Sequence, residues 1–467
     1  MTDGTVRRRS VLAGLCGGTL VAGTSTAKAA NAKGSTRLSA GEELRAESTV
    51  IVDSAGSDGN PGTVDEPIET IGEAVERVQP GETIYVTPGE YRELVVIEQS
   101  GTPENPIELT GPPEAVLRWN PDTQAPAALV ILGDHVHVTG LTIDGLADPD
   151  HPEDPDAYGD GPLVHLTGSG FELEDYVEGA VIAPHGVGNS GRQLVNLNFV
   201  KDAEIGPFRV TGRAGAKWQL TDEENHNGEI VYIGTARTNI EQIDDFDGWD
   251  RTQNIHVHHI DNSAGHSHSQ LVDVKAGAED VTIEYCTDGG GSQNDQDWAV
   301  SAVKLSGYSC TLRWCLIQDG DGNGVNVGTE ISEDSPNDKI AERVGTENAI
   351  YGNEISGFED GWGLAFFPGS DAGQGPEHQA ILCGNSIEGR TAGDPETECP
   401  EDVPVGEGVG HTGGDPEASR AAISNFELSE VESADQSSSA DSLLYAATAL
   451  ATGSLFVPYA LRRFRRR

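Results

Sequence analysis

The chain has 467 residues and carries 77 acidic against 29 basic side chains, a net charge of −48. That balance leaves no basic face for a nucleic-acid partner. The acidity also runs through a chain that is 36% hydrophobic, which excludes a merely disordered acidic tail. So acidic a coat stays soluble where salt screens it, the Debye length being ~3 Å at 1 M, and a halophile's surface is expected.

The opening stretch, "VRRRSVLAGLCGGTLVAG", sets Arg8 and Arg9 ahead of a glycine-rich, mildly apolar run. It resembles a twin-arginine export signal over residues 1–30, with Ala27 and Ala29 as a small-residue cleavage site and 31–48 as a linker. Export leaves Cys286, Cys310, Cys315, Cys383 and Cys399, without the Cys-x-x-Cys spacing of a zinc site.

From about Val50, four or five residues of apolar alternation are followed by a Gly/Asn/Asp turn, again and again, as in "ETIYVTPGEY", "HVHVTGLTIDG" and "DVTIEYCTDGG". One amphipathic helix is expected, Ile68 to Val78. Later segments share a phase: Ile283-Glu-Tyr-Cys286, Leu312-Arg-Trp-Cys315, Ile350-Tyr-Gly-Asn353 and Leu382-Cys-Gly-Asn385. Irregular strand-and-turn repeats of this kind suit a parallel β-helix, whose stacked coils bury a continuous core. The helix then caps the open end of the solenoid. Cys286 and Cys315 are expected as a buried thiol step leading into an Asn353/Asn385 ladder, with Cys383–Cys399 as a loop bridge.

The stretch "SAGSDGNPGTVDEPIETIGEAVERVQPGETIYVTPGEYRE" resembles the opening of right-handed parallel β-helix proteins of the pectate lyase and chondroitinase B type. The resemblance implies an all-β, right-handed solenoid over residues 49–415 and leaves the activity open, because one fold carries many. A Ser- and acid-rich stalk (416–442), a nineteen-residue uncharged span (443–461) and an arginine block (462–467) follow. They are similar to the sorting tails of archaeal surface proteins and predict an anchor in the membrane with its tail inside.

Only seven lysines occur, so two near each other in "SQLVDVKAG" and "SAVKLSG" stand out. Aligning Ile233, Val274 and Val303 as inward residues turns Lys275 and Lys304 outward, side by side. Asp273, His268 and Gln270 fall on or beside that surface, with Glu229 and Tyr232 one coil earlier and His185 further up the ridge. A cationic groove of this kind suits an acidic polysaccharide. β-Elimination of a uronide needs a base for the C5 proton, a neutralised carboxylate and a donor to the leaving oxygen, and a like charge beside a lysine lowers its pKa.

The stretch also loosely resembles the active strand of the alginate lyase and chondroitinase B family. That implies Lys275 as the base and Lys304 in the place of an arginine; on this chain's own strand, Asp273 or His268 is expected to orient Lys275. His268 and Gln270 stand where that family's calcium-binding glutamates belong. Calcium is the one cofactor suggested elsewhere: Asp319, Asp321, Asn323 and Glu330 have the spacing of a calcium loop, and Asp244 to Asp250 is a second acidic turn. Trp362, Phe366 and Phe367 are candidates for a sugar-stacking platform. Two other functions fit: a surface protein that only binds glycan, and a glycoside hydrolase using Asp273 with Glu229.

Overall fold

The computed structural model describes residues 48–403, apart from 124, 222–227, 241–247, 291–300, 329–342, 359–360, 367–374 and 402. The export signal, stalk, apolar span and arginine tail lie outside these residues. Among the described residues no helix is long and apolar enough to cross a membrane.

The strands form three sheets of 12, 10 and 10, and within each sheet every pairing joins a strand to its counterpart in a neighbouring coil. One coil, for example, runs through Gln253–His258 in the first sheet, Ile260–Asn262 in the second and Val272–Val274 in the third. All the pairings are parallel, and the chain is an all-β, right-handed parallel β-helix as the turn-punctuated alternation predicts.

Inward positions repeat down the solenoid. In the third sheet Val195, Val231, Val272, Val303 and Val325 make one file, and Leu197, Ile233, Val274, Leu305 and Val327 make the next. All ten are fully buried. Each such side chain stabilises the fold by about 1.5–3 kcal/mol through loss of apolar surface.

The shared phase of the late repeats is a corner. His259, Tyr285, Trp314, Gly352 and Gly384 all take left-handed backbone between the first and second sheets. Glycine adopts that conformation freely, whereas a side chain there costs about 1–2 kcal/mol. Stacking offsets the cost in the three non-glycine coils: the His259 and Tyr285 rings lie 5.1 Å apart and Tyr285 and Trp314 4.9 Å. Just past the corner, Cys286, Cys315, Asn353 and Asn385 point inward as expected. Asn353 Oδ1 accepts the Cys315 N–H at 3.0 Å, and Asn385 Oδ1 accepts that of Asn353 at 3.1 Å. Cys286 and Cys315 are free and buried, and Cys383 is joined to Cys399.

The capping helix, α1, is shorter than its apolar periodicity suggests, spanning Ile71–Arg77. Thr70 ends it early by accepting the Glu73 N–H on its hydroxyl, and Ile68 bridges to Val52 as part of the sheet. Glu93, from a neighbouring coil, accepts the free N–H groups of Ile71 and Gly72 at 2.9 and 2.8 Å. A carboxylate against a helix start ties the cap to the first coils.

The core includes a titratable carboxyl group. Asp288 is fully buried; one carboxyl oxygen accepts from Asn262 at 2.6 Å and the other has no partner among the described residues. Burial raises its pKa to about 8, the Asn262 bond offsetting only part of that. The folded chain therefore holds a proton that the unfolded chain loses near pH 4. Stability is lost as pH rises from there to about 8. Asp288→Asn should raise the melting temperature at alkaline pH and leave it nearly unchanged near pH 4. An equal effect at both pH values would show that the carboxyl does not titrate in this way.

Candidate functional site

The outward side of the third sheet carries a file of polar side chains where the opposite face carries valine and leucine. Pairing places Asn196 beside Tyr232, Tyr232 beside Asp273, Asp273 beside Lys304, and Lys304 beside Asn326. A second file runs along the margin of the same face. There Ser301 is paired with Asn323, and Gln270 and Glu229 precede them at the equivalent positions of earlier coils. These groups point away from the core and yet Glu229, Tyr232, Gln270, Asp273, Ser301 and Asn326 are all buried. The face is recessed rather than a flat ridge.

The register differs from the alignment of Val274 with Val303. Val274 pairs with Leu305, and Val303 with Val272. A slip of two residues keeps every side chain on its face, because alternation has period two, but it changes the neighbours. Lys304 abuts Asp273, and Lys275 packs over Gly234.

The electrostatics change accordingly. Lys275 Nζ donates to Asp273 Oδ2 in a close, mostly buried ion pair and lies 4.2 Å from the centre of the Tyr232 ring. Burial alone would lower the Lys275 pKa, but the charge of Asp273, with Tyr232 and Glu229 beside it, outweighs burial and raises it well above the usual lysine value. Lys275 is therefore a fixed cation, which corrects its expected state as a lysine with a depressed pKa.

Lys304 carries the depressed pKa. Burial lowers it, the Lys275 charge adds to the effect, and Asp273 and Glu229 pull it back only in part. Unlike Lys275, Lys304 has no ion-pair partner among the described residues.

Tyr232 is held protonated, and Glu229 is shifted in the same direction. Burial takes the Tyr232 phenol up to about 12, and its oxygen accepts the Ala236 N–H at 3.2 Å, leaving its own proton to donate. Burial also raises Glu229, whose Oε2 accepts the Gly228 N–H at 2.9 Å. Gln270 accepts from Ser269. His268 is anchored on the preceding loop by its backbone bond to Gly228, and Asp273 is the group that holds Lys275.

Four buried polar atoms of this face have no hydrogen-bond partner among the described residues: Asn196 Oδ1, Asp273 Oδ1, Ser301 Oγ and Asn326 Nδ2. Leaving such a group unsatisfied costs about 1–3 kcal/mol, so the three nearest Lys304, on Asp273, Ser301 and Asn326, mark a place for a polar ligand. Asn196, Ser301 and Asn326 are missing from the sequence expectations. Their signal is a polar residue recurring at the centre of an apolar strand, as in "LVNLN" and "GVNVG".

His185 is not on this face. It sits at the corner between Val181–Ala183 of the first sheet and Gly186–Gly188 of the second, its N–H bonded to Leu141. The histidine that does join the ridge is His165, which pairs with Asn196 and lies 2.9 Å from Asn198 Oδ1.

The described part of the calcium loop falls on a coil corner. Asp319 is a left-handed corner residue between strands, and Asn323 begins a strand, its Oδ1 taken by the Trp362 N–H at 2.7 Å and its Nδ2 by Asn326 at 2.9 Å. Asp321 is exposed on the turn between them, and Glu330 lies outside the described residues. Asp250, from the second acidic turn, is buried and accepts from Phe199, Thr235 and Thr252, and residues 244–247 again lie outside. Among the described residues no cluster of three or more His, Cys, Asp or Glu could hold a metal. Of the proposed aromatic platform, Trp362 is exposed, Phe366 packs against the core, and Phe367 is not among the described residues.

A family model described as a protein of unknown function (DUF1565) matches residues 54–98, the capping turn and first coils. No curated protein matches the sequence. Among solved structures, an alginate lyase from Paenibacillus sp. str. FPU-7 is 15% identical, with a TM-score of 0.48 over 69% of this chain and 96% of that one. The pectate lyase Pel9A is 12% identical, with a TM-score of 0.43 over 68% and 76%. A lacto-N-biosidase from Eubacterium ramulus is 12% identical, with a TM-score of 0.38 over 74% and 61%. At these identities the likeness is one of fold alone.

Proposed function

We propose that the protein binds an acidic polysaccharide on the outer face of the third sheet and cleaves it by β-elimination at a uronate. The observation that carries this reading is the pairing of two unlike lysines in one recess, Lys275 fixed as a cation and Lys304 disposed to lose its proton. Elimination needs both states at once. Lys275 neutralises the uronate carboxylate, which makes the C5 proton acidic. Neutral Lys304 takes that proton, and the protonated Tyr232 hydroxyl donates to the oxygen that leaves C4. Asp273 holds Lys275 in place. The roles of the two lysines are thus exchanged relative to the family resemblance.

The test is a screen of the mature protein, at high salt, against pectate, alginate and glycosaminoglycans. The expected product carries a conjugated, ultraviolet-absorbing double bond at its new non-reducing end. Saturated ends would indicate hydrolysis and turn attention to Glu229 and Asp273, whereas binding without any cleavage would leave an adhesive surface.

We also propose that the protein works outside a salt-adapted cell, exported by the twin-arginine signal and held by residues 443–461. Deleting 443–467 should release folded protein into the medium. Retention of the truncated chain by the cells would remove the anchor.

A further inference from the structure

Beyond the recess, the marginal file continues outward. The strand Trp362–Phe366 follows Asn323–Val327, and Arg390–Thr391 follows it in turn. Val325 pairs with Leu364, so Trp362 stands beside Asn323, whose Oδ1 pins its backbone N–H. Arg390 pairs with Trp362 one coil further on.

Three features of this end of the face ask for a ligand. Trp362 is 39% exposed, one of only three large apolar side chains exposed among the described residues. Arg390 is exposed and, in a chain with so many carboxylates, has no ion-pair partner among the described residues. Ala365, paired with Asn326, puts a small side chain in the file that Lys304 occupies two coils earlier. An exposed indole offers a stacking surface to the apolar face of a sugar ring. A free guanidinium beside it offers a bidentate partner to a carboxylate.

We propose that Trp362 and Arg390 form a separate subsite for an acidic sugar residue, about 10 Å along the solenoid axis from Lys304 at ~4.8 Å per coil. The subsite rests on the glycan reading of the recess and adds a direction to it. The polysaccharide lies along the axis, roughly one sugar to each coil or two. The reacting uronate sits at Lys304, and a neighbour further along the chain stacks on Trp362 with its carboxylate on Arg390. Short ligands that fill only the recess do not reach it.

The experiment uses the whole protein carrying Lys304→Met, so that ligand is bound and not consumed, and titrates oligouronates of increasing length from the disaccharide upward by calorimetry. Affinity should step up once the oligomer is long enough to reach Trp362. Adding Trp362→Ala should remove that step, weakening long oligomers by about two- to tenfold and leaving the shortest unchanged. Arg390→Gln should do the same for uronates and little for neutral oligomers of the same length. In protein with Lys304 intact, Trp362→Ala should raise KM for long substrates at constant kcat.

If long and short oligomers lose affinity equally, or neither does, the subsite is wrong while the recess stands. A length-dependent loss in a protein that never cleaves any glycan would overturn the lyase and keep the subsite. Failure of every oligouronate to bind would overturn both.

Discussion

Lys304→Met should reduce turnover of the uronate polymer by about 10²- to 10⁴-fold, the range that a positioned general base contributes, while glycan binding and the melting temperature hold. The fold should tolerate the change because Lys304 is mostly buried and without an ion-pair partner among the described residues, so a thioether replaces an amine that no carboxylate holds. Lys304→Arg should be as inactive as Lys304→Met, since a guanidinium keeps its proton throughout the accessible range.

The pH profile supplies an independent reading. The base acts when neutral, so kcat/KM should rise with pH through the lowered lysine pKa of Lys304 and level off above it. In Lys304→Met any residual rate should lose that limb. Full activity in Lys304→Met would eliminate the assignment, and the search for a base would pass to Glu229.

The solenoid is legible in the sequence because its determinants are local. Alternation in strands of two to six residues and the turn residues between them are each set within a few residues, and the phase shared by Cys286, Cys315, Asn353 and Asn385 repeats that local pattern from coil to coil. The outward direction of Lys275, Lys304, Tyr232 and Asp273 is legible for the same reason. What the sequence conceals is the neighbour across the coil boundary. The number of residues between successive strands varies from coil to coil, so similar strands can be aligned two residues out, and alternation gives no warning. That slip set Lys304 beside Lys275 instead of Asp273 and reversed which lysine is expected to have the lowered pKa. His185 was misplaced by a larger version of the error, because strands of all three sheets share the same apolar pattern. The Asp319 loop shows the opposite case. Its spacing satisfies a calcium motif, but the corner of a coil also needs Asp, Asn and Gly, and Asn323 is committed to the strands on either side.

The ion pair between Lys275 and Asp273 should have its largest effect on stability. Both side chains are nearly covered, with 17% and 4% of their surfaces exposed. Removing one partner strands the other as a buried charge, at a cost of about 3–5 kcal/mol. Lys275→Met alone should therefore lower the melting temperature steeply, and its loss of activity would say little about chemistry. Asp273→Asn alone should also destabilise, since Lys275 would keep its charge without its strongest partner.

Lys275→Met together with Asp273→Asn leaves no orphan charge and should recover most of the lost stability, a coupling that a double-mutant cycle measures directly. Catalysis should not recover, because the cation that neutralises the uronate is still missing. The double variant thus separates the two roles of Lys275. Stable and inactive protein assigns the lysine to the reaction. If the double variant is stable and cleaves glycan normally, the pair is only a structural bridge between strands. If it is no more stable than the single variants, the two charges are not coupled, and the raised pKa of Lys275 has another cause.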